Sequence, residues 1–201
     1  MHGVAKIAAG VAICMSLIMA PLACAADTVP LADLQAATRS LGFLDSLQNR
    51  STISIGVVYG VEVRDGKNSA VQTAGALTAM RGPGSSTIRA NIITVDELVQ
   101  NTQHFDALYL MPGVAANGAQ VADVVRRQHV VTISSDPACL YAKCCVLMVQ
   151  IGSGVNIVLN MALADAAGAR FSSVFTMMVK RRCPWVQATN PTRDIVSAPG
   201  C

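Results

Sequence analysis

Five cysteines in the last third of the chain are the residues whose type and spacing could do chemistry. Cys139, Cys144 and Cys145 lie in "DPACLYAKCC", between two apolar runs, and Cys183 and Cys201 lie in the tail. Cysteine thiolates can act as nucleophiles or bind metals, and thiols can also pair as disulfides. The choice depends on the compartment in which the chain folds, because disulfides persist in oxidising compartments.

The first 26 residues have the pattern of a secretory signal peptide. Lys6 precedes an apolar run over residues 7–20, and small residues follow up to Ala26. We therefore predict a signal peptide over residues 1–26 and export to the periplasm. Cleavage before Cys24, with acylation there as in a lipoprotein, is the alternative. A retained membrane anchor is disfavoured because the apolar run is shorter than the roughly 20 residues that span a bilayer.

The composition of the exported chain argues against several classes of protein. Once Lys6 is removed, 14 basic residues face 12 acidic ones, and the charges are scattered, so we expect no nucleic-acid partner. The sequence contains no G-x-S-x-G elbow, Walker loop or H-E-x-x-H motif. We therefore predict no enzymatic activity, no cofactor and no metal.

The two histidines of the exported chain, His104 and His129, are expected to be loop-edge residues. Together with Cys139 and Cys145 they could in principle form a tetrahedral zinc site. The sequence contains no Cys or His at metal-ligand spacing from either histidine.

Four acidic residues lie at the ends of predicted strands or in turns: Asp65, Asp96, Glu97 and Asp136. In open α/β sheets this is where ligands bind. Helix capping and turn formation are the simpler interpretation, which we favour. Thr94 or Asp96 is the expected cap of the helix that starts near residue 96.

The elements that must position these residues alternate between strands and helices. Apolar spacing predicts helices over residues 31–50, 65–80, 96–102 and 116–128. Buried strands are predicted over residues 51–60, 88–95, 105–113 and 129–135. A hairpin around "GSG" follows over residues 146–160, and then two helices, separated at Gly168, over residues 161–182.

This order predicts an α/β fold, a single three-layer domain with a mostly parallel, doubly wound sheet and a C-terminal hairpin. The domain is expected over residues 27–182. Residues 183–201 are expected to be an irregular tail.

The cysteines fit a structural clasp or a redox sensor, and both interpretations stay open. If a strand starts at Cys144, then Cys144 and Cys145 point to opposite faces and one of them can meet Cys139. A bond from Cys139 to Cys145 would close a seven-residue loop and stabilise the fold by about 2 to 3 kcal/mol. Cys144 would then be a buried apolar residue. Cys183 and Cys201 are candidates for a second disulfide.

The run from "VVTISSDPAC" to "SSVFTMM" resembles the YfiR family of periplasmic proteins. Members have a strand, a hairpin, a strand that contains an asparagine, and a helix pair. Asn160, Gly168, Ser172 and Ser173 fall on this pattern, and the resemblance spans residues 31–180.

The resemblance implies a non-enzymatic periplasmic regulator. Its client would be an inner-membrane signalling protein, such as a diguanylate cyclase of cyclic di-GMP signalling, bound through the periplasmic sensory domain. A homodimer is a further expectation. By position, Cys139 and Cys145 match a disulfide of the family, whereas Cys144-Cys145 stands where many relatives carry Gly-Gly. The alternative is a small-molecule binding module related to one lobe of an ABC-type solute-binding protein.

Overall fold

A computed structural model of the chain describes residues 28–100 and 103–182. The strands are β1 Thr52–Tyr59, β2 Thr87–Thr94, β3 Ala107–Leu110, β4 Val131–Ser134, β5 Leu147–Ile151, β6 Val155–Asn160 and β7 Lys180–Arg182. The helices are α1 Leu31–Leu41, α2 Gly66–Ala79, α3 Val95–Gln100, α4 Gly118–Gln128, α5 Ala138–Tyr141, α6 Met161–Ala166 and α7 Ser173–Met178. The signal peptide, Cys24 and the tail with Cys183 and Cys201 lie outside the described residues.

One sheet organises the described residues, in the strand order β2-β1-β3-β4-β5-β6-β7. β2, β1, β3, β4 and β5 are parallel, β5 and β6 form an antiparallel hairpin, and β7 pairs parallel with β6. α1 packs against α2, and α4 packs against α3 and α6. Because right-handed crossovers in opposite directions put helices on opposite faces, this is a three-layer, doubly wound fold. The predicted fold class is confirmed.

The central strands are short and apolar because both of their faces are covered. Every residue of β3 and of β4 is buried. Such runs are typical of parallel strands between two helical layers. Within the described ranges, no helix combines the length and the apolar character that crossing a membrane requires.

The first helix is shorter than predicted. α1 ends at Leu41, and Leu44 instead pairs with Phe171 in an isolated antiparallel bridge. Leu44 and Leu47 are buried but lie beyond the end of α1, and Leu31 in its first turn is 57% exposed, so the predicted helix over residues 31–50 was wrong after Leu41. The physical reason is a tertiary contact: the N–H of Asp45 donates to the carbonyl of Arg170, which draws the chain out of the helix.

The last helix also ends earlier than predicted. α7 stops at Met178, and Lys180–Arg182 forms β7 beside β6, with Lys180 opposite Val158. Val179 is extended (φ −100°, ψ 156°), which suits a β-branched residue. The edge of β6 offers unpaired backbone groups, and pairing with them replaces the last helical turn.

Candidate functional site at the carboxyl edge of the sheet

The disulfide predicted in the turn between β4 and β5 is present. Cys139 and Cys145 are bonded, with their Cα atoms 5.5 Å apart. Both cysteines are at most 1% exposed. A buried disulfide is sheltered from reductants, so this geometry favours the clasp interpretation over the redox sensor.

Asp136 fixes this turn to the neighbouring strand end. Its Oδ1 accepts the N–H of Ala138 at 2.9 Å, and its Oδ2 accepts the N–H of Gly113 at 3.3 Å. The Asp136 N–H donates to Ser134 Oγ at 3.0 Å, and that hydroxyl donates to the carbonyl of Leu110 at 2.9 Å. Asp136 is therefore a turn residue that joins the ends of β3 and β4, as the capping interpretation predicted.

Cys144 is buried beside the disulfide. Its thiol donates to the carbonyl of Cys139 at 3.5 Å, and its own carbonyl accepts the Thr132 hydroxyl at 2.9 Å. Burial raises the pKa of the Cys144 thiol to about 11. At neutral pH the sulfur is therefore protonated, and it serves as a small apolar core atom.

Cys144 is expected to resist alkylation in the folded protein. Iodoacetamide at pH 8 should leave it unmodified, because the thiolate is the reactive form and is scarce three pH units below a pKa of about 11. Unfolding in urea should make it react fully. Mass spectrometry of the peptide that contains Cys144 measures both states; fast labelling of the folded protein would contradict the assignment.

The switch point of the sheet lies between β1 and β3, where chain connections leave in opposite directions. Ligands of doubly wound proteins bind in this crevice. Here Val63, in the loop after β1, approaches Gly113, in the loop after β3. A Cβ at Gly60 would lie 2.6 Å from Glu62 Oε1, and a Cβ at Gly113 would lie 2.8 Å from Val63 Cγ2.

Gly113→Ala is expected to destabilise the fold by about 1 to 3 kcal/mol, because Gly113 has a φ of +88° and its Cβ would meet Val63. Gly75→Ala is the matched control. It lies inside α2 with nothing within 4 Å of its Cβ, so it should stabilise by about 0.5 to 1 kcal/mol. Urea titrations of the two variants test the contrast; equal effects would refute the tight approach at Gly113.

Two of the remaining acidic candidates, Asp65 and Glu97, form hydrogen bonds within their own turn or helix end. Asp65 accepts a hydrogen bond from the Asn68 side chain. Thr94, not Asp96, caps α3: its hydroxyl accepts the Glu97 N–H at 3.1 Å, and Glu97 Oε2 accepts the Thr94 N–H at 2.9 Å. This capping box lowers the pKa of Glu97, chiefly through the backbone hydrogen bond.

The histidines do not assemble a metal site with the cysteines. His129 ends α4 with a φ of 51°. The sulfurs of Cys139 and Cys145 are bonded to each other, so neither is a thiolate ligand. Across residues 28–100 and 103–182, no group of three or more His, Cys, Asp or Glu could hold a metal ion.

The family-pattern positions build the helix pair. Asn160 caps α6, with its Oδ1 accepting the Leu163 N–H at 3.2 Å. Ser172 caps α7, with its hydroxyl accepting the Phe175 N–H at 3.4 Å. Gly168 has a φ of +64° between the helices, and Ser173 is the first residue of α7.

Two polar contacts of buried side chains were not predicted from the sequence. Asp33 is 3% exposed, and its Oδ1 accepts the N–H of Ile151 at 2.7 Å. The Tyr109 hydroxyl donates to Ser135 Oγ at 3.2 Å, and burial raises the pKa of the Tyr109 phenol. A signal for Asp33 existed: Asp33 shares the inward face of α1 with Ala37, one turn on.

The same edge also exposes apolar side chains on a constrained backbone. Leu140 of α5 is buried, whereas the neighbouring Tyr141 is 72% exposed. Val61, in the loop after β1, is 69% exposed. The Cys139–Cys145 disulfide brackets Tyr141, so the loop presents this aromatic ring from a rigid base.

The sequence matches the model of the family described as YfiR/HmsC-like over residues 65–178, which is more than half of the 201 residues. The predicted family is thereby confirmed. No curated protein matches the chain.

Several solved structures have a similar fold. A ligand-free, open substrate binding protein with adhesive properties from Clostridium difficile has a TM-score of 0.50 and 14% identity, over 65% of this chain and 54% of that chain. A conserved domain protein from Vibrio cholerae has a TM-score of 0.54 and 12% identity, over 75% and 59%. An ABC domain in complex with L-Trp from Streptococcus pneumonia has a TM-score of 0.54 and 13% identity, over 74% and 61%. The chain thus spans 54 to 61% of the length of these proteins, and the likeness is one of fold.

Proposed function

The chain belongs to the YfiR/HmsC-like family, and from this premise we propose that it is a non-enzymatic periplasmic regulator that acts by direct protein contact. Its client is an inner-membrane signalling protein, and the client class that we propose is a diguanylate cyclase, bound through its periplasmic sensory domain. The contact surface is the carboxyl edge of the sheet around Tyr141.

The observation that carries this proposal is the exposure of Tyr141 on a disulfide-closed loop. Tyr141 is 72% exposed, while Leu140 beside it anchors the loop in the core. Exposed tyrosines are among the residues that dominate the energy of protein interfaces. A loop that is already ordered loses little conformational entropy when it binds, which strengthens such a contact.

The chemistry of the cysteines supports a contact role over a reaction. Two of the sulfurs of this turn form the disulfide, and the third belongs to Cys144, a buried thiol with a pKa of about 11. A nucleophilic cysteine needs a lowered pKa and access to its substrate. At the switch point, where an α/β protein of this kind would hold a substrate, the Val63 side chain lies close against Gly113.

Co-purification from crosslinked membranes tests the proposal. The tagged full-length protein should recover one inner-membrane protein with a diguanylate cyclase domain. Tyr141→Ala should weaken binding of that protein by at least about 30-fold, the effect of losing an interface hot spot. Val71→Ala is the control, because Val71 is 51% exposed on α2, outside the loops after β1 and β4.

The possible outcomes test the client class, the contact surface and the regulatory function separately. Recovery of a different signalling protein, sensitive to Tyr141→Ala, would keep the contact surface and replace the cyclase. Equal recovery with Tyr141→Ala and with Val71→Ala would reject the surface. Recovery of no membrane protein by the wild-type chain would reject the function.

The exported form and its assembly are also testable. The intact mass of the mature protein distinguishes removal of residues 1–26 from acylation at Cys24, and light scattering tests the expected homodimer. A periplasmic regulator requires one of the two processed forms. An unprocessed chain retained in the cytoplasm would exclude a periplasmic contact.

Small-molecule binding is a second candidate, favoured by one cleft. An open cleft of about 440 Å³ lies beside α3. Among the residues that line it are Asn91, Gln100 and Phe105, which combine amide groups with an aromatic ring. A thermal shift screen with metabolites would support this function if one compound raised the melting temperature with dose, and if Asn91→Ala removed the shift.

A further inference from the structure

The outward face of α7 is apolar and open. Val174, Met177 and Met178 are spaced so that they share one side of the helix, and they are 55%, 77% and 65% exposed. Contiguous exposed apolar side chains on a folded domain usually mark a surface that meets another molecule. We call this face, together with the basic residues described next, the α7–β7 surface.

The inner face of α7 holds the helix in this orientation. Phe175 is 2% exposed and stacks on Phe43, with ring centroids 4.8 Å apart, and on Phe171 at 5.3 Å. The N–H of Ser172 donates to the carbonyl of Phe43. Because α7 is anchored by its phenylalanine, it cannot roll over to bury the two methionines without losing this aromatic cluster.

Basic residues lie close to α7 in the sequence, on both sides of the helix. Residues 166–182 contain four basic residues and no acidic one: Arg170, Lys180, Arg181 and Arg182. Arg170, Lys180 and Arg181 are exposed, and none of these three belongs to an ion pair in the described part of the chain. The surface therefore combines apolar side chains with unpaired positive charge, a combination typical of segments that bind anionic membranes.

We propose that the α7–β7 surface docks onto an anionic phospholipid membrane. The side chains of Val174, Met177 and Met178 enter the headgroup region, and the basic side chain of β7 that lies on the same face contacts lipid phosphates. Each Lys or Arg near such a surface raises the affinity by about fivefold. The proposal goes beyond the regulatory contact at Tyr141, because it assigns a lipid partner to a different part of the molecule.

The charge of this surface favours lipid over a protein partner. Arg170, Lys180 and Arg181 are exposed and belong to no ion pair in the described part of the chain, and the headgroups of an anionic bilayer supply a continuous negative surface for such residues.

Docking through α7 also leaves the client surface free. Tyr141 follows β4, which is three strand positions from β7 in the sheet, or about 14 Å. A chain held at the inner membrane by the α7–β7 surface would meet a membrane client by diffusion in two dimensions. The Tyr141 loop would remain available for that encounter.

Vesicle flotation with the full exported chain tests the proposal. Vesicles of phosphatidylcholine with about 30% phosphatidylglycerol should bind the protein at least tenfold more tightly than vesicles of phosphatidylcholine alone. Raising the salt from about 0.05 M to about 0.5 M should remove most of this preference. Equal binding to both vesicle types, or binding to neither, would overturn the proposal.

Two double variants locate the surface. Lys180→Glu with Arg181→Glu should weaken binding to the anionic vesicles by at least about 25-fold. Met177→Asp with Met178→Asp should also weaken it at least tenfold. Val71→Asp, on the exposed side of α2, is the matched control and should bind as the wild type does. Circular dichroism melts check that each variant is folded.

Three results bear on the lipid proposal. Two would contradict docking of the α7–β7 surface on lipid, and the third would separate it from the client contact at Tyr141. If the folded methionine variant binds vesicles normally but fails to recover the membrane protein, the α7–β7 surface belongs to a protein partner and the lipid proposal is wrong. If the control loses binding equally, the effect is non-specific and the proposal is also wrong. Tyr141→Ala should bind vesicles normally, so the client contact can fail while lipid docking stands.

Discussion

Replacement of Cys139 or Cys145 by serine is expected to lower the free energy of unfolding by about 2 to 3 kcal/mol. The disulfide closes a loop with a sequence separation of 6, and its loss restores conformational freedom to the unfolded chain. Each variant also places a hydroxyl at a site that is at most 1% exposed. Urea titration under non-reducing conditions, followed by circular dichroism, measures the loss.

Cys144→Ala is the matched control for this prediction. It removes a buried thiol that has no disulfide partner, so it should cost less than about 1.5 kcal/mol and leave the clasp intact. Trypsin cuts after Lys143, so the native bond joins the peptide that contains Cys139 to the next one. That non-reduced link should persist in Cys144→Ala and be absent in Cys145→Ser; the reverse result would reassign the disulfide.

Asp33→Ala is expected to lower the free energy of unfolding by about 1.5 to 3 kcal/mol, the usual range for a hydrogen bond to a charged group. Asp33 Oδ1 accepts the N–H of Ile151 at 2.7 Å, which joins the first turn of α1 to the end of β5. Alanine would leave that part-buried backbone N–H without its partner, and urea titration again measures the effect.

Two controls isolate the Asp33 contact. Asp33→Asn keeps a side-chain oxygen that can accept the Ile151 N–H, so most of the stability should return. Asp45→Ala removes an exposed aspartate and should change the free energy of unfolding by less than about 0.5 kcal/mol. Equal losses for Asp33→Ala and Asp33→Asn would mean that the hydrogen bond is not what matters.

The sheet could be predicted because its central strands depend on local pattern. β1, β3 and β4 are apolar runs flanked by helical spacing and turn residues, and the fold follows from their alternation. β7 could not be predicted, because three residues with two adjacent arginines become a strand only when β6 offers its edge. Asp33 was missed for a similar reason: its partner Ile151 is 118 residues away.

The disulfide of the candidate site could be predicted from the sequence, but the exposed side chain beside it could not. The spacing of Cys139, Cys144 and Cys145 limits the pairings, and the family pattern selects Cys145. Neither spacing nor the family pattern indicated that Tyr141 would be exposed. The helix α5 has four residues. The disulfide from Cys139 to Cys145, which lies beyond the helix, decides which side of α5 faces water.

Tyr141 is the centre of the proposed client contact, and crosslinking from that position in intact cells tests this contact most directly. A photoreactive amino acid at position 141 should give one crosslinked product, an inner-membrane protein with a periplasmic sensory domain. The same amino acid at position 71, on the exposed side of α2, should give none. Equal yields from both positions, or no membrane protein from position 141, would contradict a regulator that binds its client through the clasped loop.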